Sequence, residues 1–178
     1  MAADKWRCNA TMTEAQYLAF VRSALRSKWL RWIPRSEALR AAKRPYKGPN
    51  KRQQFEYACA ICTNCFGAKE VEVDHYPKDA GSILKIEDVG QFCSNLFCET
   101  DNLRVVCKPC HSVYTHAQKQ GITFAEAEVE KKVIEFCKQD SSVVVKFLAE
   151  AGYNGAAVSN ATKRRALVET LFKERLNE

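Results

Sequence analysis

Two pairs of cysteines constrain the fold of this chain more than any other feature of its sequence. Cys59 and Cys62 form one Cys-x-x-Cys pair, and Cys107 and Cys110 form a second. Four thiolates at this spacing are typical of a tetrahedral zinc site. A simple zinc ribbon separates its two pairs by about 15–20 residues, whereas 44 residues lie between Cys62 and Cys107. We therefore expect a structural zinc that holds the two ends of an inserted hairpin.

Further cysteines leave the choice of metal ligands partly open. Cys65 lies three residues after Cys62 and could replace Cys59 in the zinc site. Cys93 and Cys98 could join Cys65 in a second site, but the sequence offers no evident fourth ligand. Buried free thiols are therefore the favoured interpretation of these two residues.

The cysteine count also bears on the compartment. An odd total of nine thiols fits a disulfide framework poorly. The N-terminal residues contain no apolar signal-peptide core, and no stretch approaches the ~20 consecutive apolar residues that a membrane helix needs. We expect a cytoplasmic protein with no membrane partner, in which the paired thiols bind metal.

A strongly basic segment precedes the cysteine pairs. Residues 22–52 contain eleven basic residues and one acidic residue, a net charge of +10 in a chain of net charge +7. Trp29, Trp32 and Tyr46 lie among these cations, a mixture typical of a nucleic-acid surface. The alternative is a solvated basic helix without a partner. The residues predicted to contact DNA are Arg31, Arg35, Arg40, Lys43, Arg44, Lys47, Lys51 and Arg52.

Hydrophobic periodicity predicts the first helices and strands. Helices are expected over residues 13–33 and 35–43, and a Pro/Gly-rich linker over 45–50. The alternation of Val71 and Val73 with acidic residues predicts one strand. A second strand is predicted over residues 103–106.

The rest of the chain has a helical pattern. A helix is expected over residues 111–119, and Thr123 with Glu126 forms a capping-box pattern that begins another. Ser142 is predicted to open the next helix, and a last one should run from about Asn160 to the end of the chain.

The insert between the cysteine pairs carries the candidate chemistry. Asp74 and His75 lie at the end of the first predicted strand, Asn102 lies just before the second, and His111 directly follows the second cysteine pair. The order CxxC, VDH, NL and CxxCH resembles the HNH endonucleases of the ββα-metal superfamily over about residues 55–116. The longer runs KGPNKRQQFEYACAIC and LFCETDNLRVVCKPCH resemble HNH proteins commonly encoded by bacteriophages.

This resemblance implies a role for each of these residues. His75 would be the general base, and Asp74 and His111 would bind a catalytic divalent metal, Mg²⁺ or another. Asn102 would organise the loop that orients His75. The four paired cysteines would hold a separate structural Zn²⁺.

Elementary chemistry supports the same roles. Hydrolysis of a phosphodiester needs a deprotonated water and a cation that absorbs charge on the phosphoryl oxygens. Histidine titrates near neutrality and so can act as the base. Adjacent strand residues point to opposite faces, so Asp74 and His75 could share one site only where the strand ends.

Some residues depart from the family pattern or stay outside it. Tyr76 stands where isoleucine commonly follows the Asp-His pair, and Tyr114 stands where a lysine often follows the last histidine. His116 lies about 140° around the predicted helix from that histidine, so the two should not share a face. Glu70 and Glu72 are interpreted as a solvated strand face.

The sequence therefore predicts an α+β protein with a zinc-clipped ββα-metal (HNH) core. Residues 1–54 would form a basic helical N-terminal arm, 55–120 the HNH core, and 121–178 a C-terminal helical bundle. The expected function is metal-dependent hydrolysis of DNA, with no small-molecule substrate, in a host cytoplasm if a phage encodes the chain. The C-terminal helices could contact a protein partner. The alternative is a non-catalytic, zinc-stabilised nucleic-acid-binding module.

Overall fold

A computed structural model describes residues 4–174 of the chain. The chain divides into two compact units, Met1–His111 and Ser112–Glu178. Helices and small antiparallel sheets both occur, which confirms the predicted α+β class. The predicted three-part division, with boundaries after residues 54 and 120, stays a prediction. None of the helices within residues 4–174 has the length and apolar character needed to cross a membrane.

The first unit begins with a short hairpin and two helices. Strands β1 (Lys5–Arg7) and β2 (Met12–Thr13) lead into α1 (Glu14–Trp29), and α2 (Ile33–Ala42) follows. Thr13 caps α1 in a capping box with Gln16. The first predicted helix thus ends four residues early, and the second starts two residues early because a proline is accommodated in its first turn.

A three-stranded sheet follows that the periodicity does not predict. Its strands are β3 (Lys43–Pro45), β4 (Phe55–Ala58) and β5 (Cys65–Phe66), in the order β3-β4-β5. The strands are two to four residues long and mostly exposed, so they lack an apolar alternation that a sequence pattern could reveal. The first cysteine pair lies between β4 and β5.

The two strands predicted in the insert form an antiparallel pair. Strand β6 (Val71–His75) pairs with β7 (Leu103–Cys107), with Val71 opposite Cys107 and His75 opposite Leu103. Helix α4 (Lys108–Gln120) follows β7 directly and begins three residues before the predicted start, which completes a ββα arrangement. The connection between the strands contains α3 (Val89–Leu96), which the sequence analysis did not predict.

One face of the β6–β7 pair is buried. Val71, Val73, Leu103 and Val105 form a cluster with Ala38 of α2. Alternate residues of β6 are buried in the order expected for a half-buried strand. The other face of β6 therefore carries Glu72 and Asp74.

The second unit is helical. Helices α5 (Phe124–Cys137), α6 (Ser141–Glu150) and α7 (Ala161–Glu174) surround a cluster of Val129, Val133, Val144, Leu148, Val158 and Val168. The predicted capping box of Thr123 and Glu126 is present. Asp140, rather than Ser142, caps α6. The last residues of the final predicted helix, 175–178, lie outside the described part of the chain.

Candidate metal centres and nucleic-acid surface

The two cysteine pairs meet in space. The Sγ atoms of Cys59, Cys62, Cys107 and Cys110 all lie within 4.8 Å of one another, and those of Cys62 and Cys107 are 4.0 Å apart. Zinc bonds of about 2.3 Å in a tetrahedron place sulfur atoms about 3.8 Å apart. The cluster could therefore hold a metal such as zinc. Cys65 is exposed on β5 and is not part of the cluster, which resolves the alternative ligand choice in favour of Cys59.

Backbone N–H groups donate hydrogen bonds to the cysteine cluster. Cys59 Sγ accepts hydrogen bonds from the N–H groups of Ile61 at 3.4 Å and Cys107 at 3.3 Å. Burial opposes ionisation of this thiol, but backbone donors outweigh it and lower the pKa of Cys59 to about 7. Burial and the neighbouring thiols raise the pKa of Cys110. Burial also raises the pKa of Cys107, and a bound dication would supply the charge needed to ionise Cys107 and Cys110.

The exposed face of β6 meets the start of α4. His111 Nε2 lies 3.6 Å from Asp74 Oδ1, and His111 Nδ1 lies 2.5 Å from Glu72 Oε2. The imidazole is therefore placed between two carboxylates that are two residues apart on one strand. Sequence reasoning assigned Asp74 and His111 to one centre, and the structure brings these two together.

Arg104 supports Asp74 from the paired strand. It lies opposite Asp74 in the strand register, and its Nε and Nη2 donate to Asp74 Oδ2 at 3.0 and 2.9 Å. The guanidinium also lies 3.9 Å from the centre of the Tyr76 ring. Both donors use one carboxylate oxygen, and the other oxygen faces His111. Arg104 stands in none of the short motifs, and only the cross-strand pairing of β6 with β7 indicates it.

The side chain of His75 lies on the face of β6 opposite to Glu72 and Asp74. The strand continues through His75, which is only 9% exposed, and its ring lies 4.9 Å from that of Trp29. Its Nε2 lies 3.0 Å from the carbonyl oxygen of Leu96. Because a carbonyl oxygen only accepts, Nε2 carries the proton and Nδ1 is the basic nitrogen. The structure thus joins Asp74 with His111 and directs His75 to the buried face.

Asn102 holds the loop that follows His75. Its Oδ1 accepts from the Lys78 N–H at 3.0 Å, and its Nδ2 donates to the Lys78 carbonyl at 2.8 Å. Its own carbonyl accepts from the Tyr76 N–H at 3.0 Å. These contacts are of the kind that an organiser of this loop would make.

The predicted DNA contacts form an exposed basic surface with one exception. Arg31, Arg40, Lys43, Arg44, Lys47, Lys51 and Arg52 are exposed. Arg40 and Lys43 line a cavity of about 190 Å³ together with Ser36, Leu39 and Tyr57. Arg35 is half-buried, and its guanidinium lies 5.1 Å from the centre of the Trp29 ring, which in turn packs on His75.

His116 belongs to the second unit. Its Nε2 is 2.7 Å from Glu130 Oε2, an ion-pair geometry between α4 and α5. This contact gives the third histidine of the chain a structural partner.

The structure defines a ββα site in which four cysteines hold the two ends of the β6–β7 hairpin. The chain is similar to a protein of Lactococcus phage SK1 named a probable HNH endonuclease, with 36% identity over 70 residues. The match covers 39% of this chain, and the chain spans 66% of that relative's length. No family model matches the chain, and no solved structure matches it. The chain thus resembles the zinc-knuckle HNH endonucleases of bacteriophages, as its sequence motifs predict.

Proposed function

We propose that this protein is an HNH-type endonuclease that hydrolyses phosphodiester bonds in DNA with a divalent metal. The observation that carries the proposal is the approach of His111 Nε2 to Asp74 Oδ1 within 3.6 Å at the junction of β6 and α4. Two ligands of one divalent ion, bonded at about 2.0–2.2 Å, lie about 3–3.6 Å apart. The similarity to a probable HNH endonuclease supports the same class.

The two metal sites would have different tasks. The four-cysteine cluster would hold Zn²⁺ and fix the start of α4, since Cys110 immediately precedes His111. Asp74 and His111 would hold Mg²⁺ or another divalent ion, for which an oxygen and an imidazole nitrogen are suitable donors. That ion would stabilise negative charge on the phosphoryl oxygens.

His75 would act as the general base through Nδ1. The Leu96 carbonyl supports this assignment because it fixes the proton on Nε2. Packing against Trp29 would restrict the ring, and Asn102 would restrain the loop that leaves β6. For Nδ1 to accept a proton from the attacking water, that water must reach His75 on the face of β6 opposite Asp74.

The exposed cations of the basic segment would bind the DNA backbone. Each Lys or Arg that neutralises a phosphate releases condensed counterions, so binding should weaken steeply with salt. A phage-encoded enzyme of this kind would act in the host cytoplasm. A protein partner for the helices of the second unit stays a prediction.

Plasmid cleavage tests the proposal. Zinc-replete protein should cut supercoiled plasmid with Mg²⁺ or Mn²⁺. His75→Ala should lower the rate by about 10²-fold or more, the usual scale for a general base. His116→Ala is the matched control, since that histidine pairs with Glu130, and it should leave the rate unchanged. Zinc content and DNA binding should be normal in both variants.

Ligand variants refine the test. Asp74→Ala and His111→Ala should each abolish most metal-dependent cleavage, and excess divalent ion should restore part of it. Asn102→Ala should lower the cleavage rate less than either of these changes. No cleavage by the wild type with any divalent metal, together with retained DNA binding, would favour the non-catalytic zinc-stabilised module.

The basic surface can be tested separately. Charge reversal at Arg31, Arg40 and Lys43 should weaken binding to all sequences and reduce the salt dependence by about one phosphate contact per cation. Reversal of Lys119, Lys138 and Lys146 in the second unit is the matched control. If affinity and salt dependence survive the first set of changes, these cations form a solvated surface.

A further inference from the structure

Glu72 has a partner that its sequence position does not reveal. It lies two residues before Asp74, so both side chains leave β6 on the same face. Its Oε2 is 2.5 Å from His111 Nδ1, although 39 residues separate the two in the chain. Glu72 thus lies on the more exposed strand face, as expected, but has a specific partner there.

The contact selects one tautomer of His111. An ionised carboxylate only accepts hydrogen bonds, so Nδ1 must carry the proton and donate it to Glu72. In the neutral ring, the form that binds a metal, the lone pair is then on Nε2, the nitrogen that lies 3.6 Å from Asp74 Oδ1. Carboxylates that hold the outer nitrogen of a metal-binding histidine fix its orientation and raise its basicity.

We infer that Glu72 is a positioning residue that holds His111 with Nε2 available to the divalent ion. This inference rests on the proposed function, since it assigns a partner to one of the two proposed ligands of the catalytic metal. Glu72 does not share that ion, because the two ring nitrogens point to different sides of the imidazole. It would act on metal affinity through His111.

A simple surface ion pair would behave differently. The side chains of His111 and Glu72 are 33% and 43% exposed, and exposed ion pairs contribute little to stability. Loss of such a pair would leave metal affinity unchanged. A direct ligand would lose affinity equally with alanine or glutamine at position 72. A positioning residue predicts a third pattern, since a glutamine oxygen still accepts the Nδ1–H bond.

Mn²⁺ titration of the zinc-replete full chain, followed by the electron paramagnetic resonance of free Mn²⁺, separates these cases. Glu72→Ala should weaken Mn²⁺ binding by about 10- to 100-fold, the usual cost of losing such a partner. Glu72→Gln should lose clearly less Mn²⁺ affinity than Glu72→Ala. Glu56→Ala on β4 is the matched control and should bind as the wild type does. Zinc content and the melting curve should be the same in all three variants.

The ligand variants show which claim fails. If Asp74→Ala and His111→Ala lose Mn²⁺ but Glu72→Ala does not, the role of Glu72 is wrong and the proposed metal site stands. If Glu72→Gln loses as much as Glu72→Ala, Glu72 is not a positioning residue. If Asp74→Ala leaves Mn²⁺ affinity unchanged, the proposed metal site fails, and the inference about Glu72 fails with it.

Discussion

The four-cysteine cluster and the helical second unit are packed in different ways. In the second unit, six buried aliphatic residues form one cluster, and the rings of Phe136, Phe147 and Phe172 lie 4.8–6.0 Å from one another beside it. Around the cysteine pairs, the buried cluster consists of Cys59, Val106 and Cys107. The helical unit thus relies on apolar burial, whereas the cysteine pairs have few buried apolar neighbours, so we expect them to depend on a bound metal.

The contrast extends to the candidate chemistry. Asp74 and His111 lie on the side of the β6–β7 pair that faces away from its apolar cluster, and His111 directly follows a cysteine of the four-cysteine cluster. A change in the cysteine cluster should therefore reach the candidate site, while a change in the helical core should not.

Loss of a cysteine should have the largest effect. Cys107→Ser removes a buried ligand of the cluster, and structural zinc contributes about 10–16 kcal/mol in small zinc-dependent domains. The variant should lose zinc, and β6 and β7 should lose hydrogen-exchange protection while α5, α6 and α7 keep theirs. Elemental analysis and exchange mass spectrometry measure both.

The matched control for this prediction is Cys65→Ser. Cys65 is exposed and lies outside the cluster, so its replacement should leave zinc content and exchange protection unchanged. Full protection of β6 and β7 in zinc-free Cys107→Ser would refute the metal dependence of the hairpin.

Truncation of the helical core should come next. Leu148 is fully buried in the second unit, and Leu148→Ala should cost about 2–5 kcal/mol through lost burial and the cavity left behind. Urea unfolding followed by helical circular dichroism measures the loss. Zinc content should be normal, and a coupled loss of zinc would show that the two regions do not behave separately.

Removal of the cap of α5 should have a smaller effect. Thr123 Oγ1 accepts from the Glu126 N–H at 3.3 Å, and Thr123→Ala should cost about 1 kcal/mol. Thr170→Ala is the control, because its hydroxyl bonds a carbonyl inside α7 rather than a helix end. A lowered melting temperature in the first variant alone is the expected result. Equal melting temperatures would contradict it.

The smallest effect should be a gain at the first cysteine pair. Thr63 follows Cys62 with a φ of 61°, a left-handed conformation that costs a non-glycine residue about 1–2 kcal/mol. Glycine avoids this cost but loses more chain entropy on folding, by about 0.5–1 kcal/mol. Thr63→Gly should therefore stabilise zinc-loaded protein by about 0.5–1 kcal/mol and slow zinc transfer to a chelator. Thr63→Ala keeps the strain and should show no gain.

Local patterns predicted a large part of the fold. The capping box of Thr123 and Glu126 and the alternation of Val71 with Val73 both have physical causes within a few residues of chain, and both are present. The short strands β3, β4 and β5 and the helix α3 were missed. The short exposed strands bury no alternating face of their own, and their pairing depends on partners elsewhere in the sequence.

The candidate site divides in the same way. Residue types and spacing were sufficient to select the four paired cysteines, because they form two short motifs. The same reasoning assigned Asp74 and His111 to one predicted metal site, since each lies in a short motif. The contacts of Glu72 and Arg104 could not be read from those motifs. They depend on the register of β6 with β7 and on where α4 begins, 30 or more residues away.

The sequence by itself determined the two cysteine pairs, the two strands between them and the basic character of residues 22–52, because these are properties of composition and short spacing. Only the tertiary structure decided that Cys59 rather than Cys65 completes the cluster. It also decided that His75 and Asp74 leave opposite faces of β6 and that Glu72 reaches His111. The physical reason is that chain folding, not sequence distance, sets which side chains meet, and one residue of strand register changes the face on which each lies.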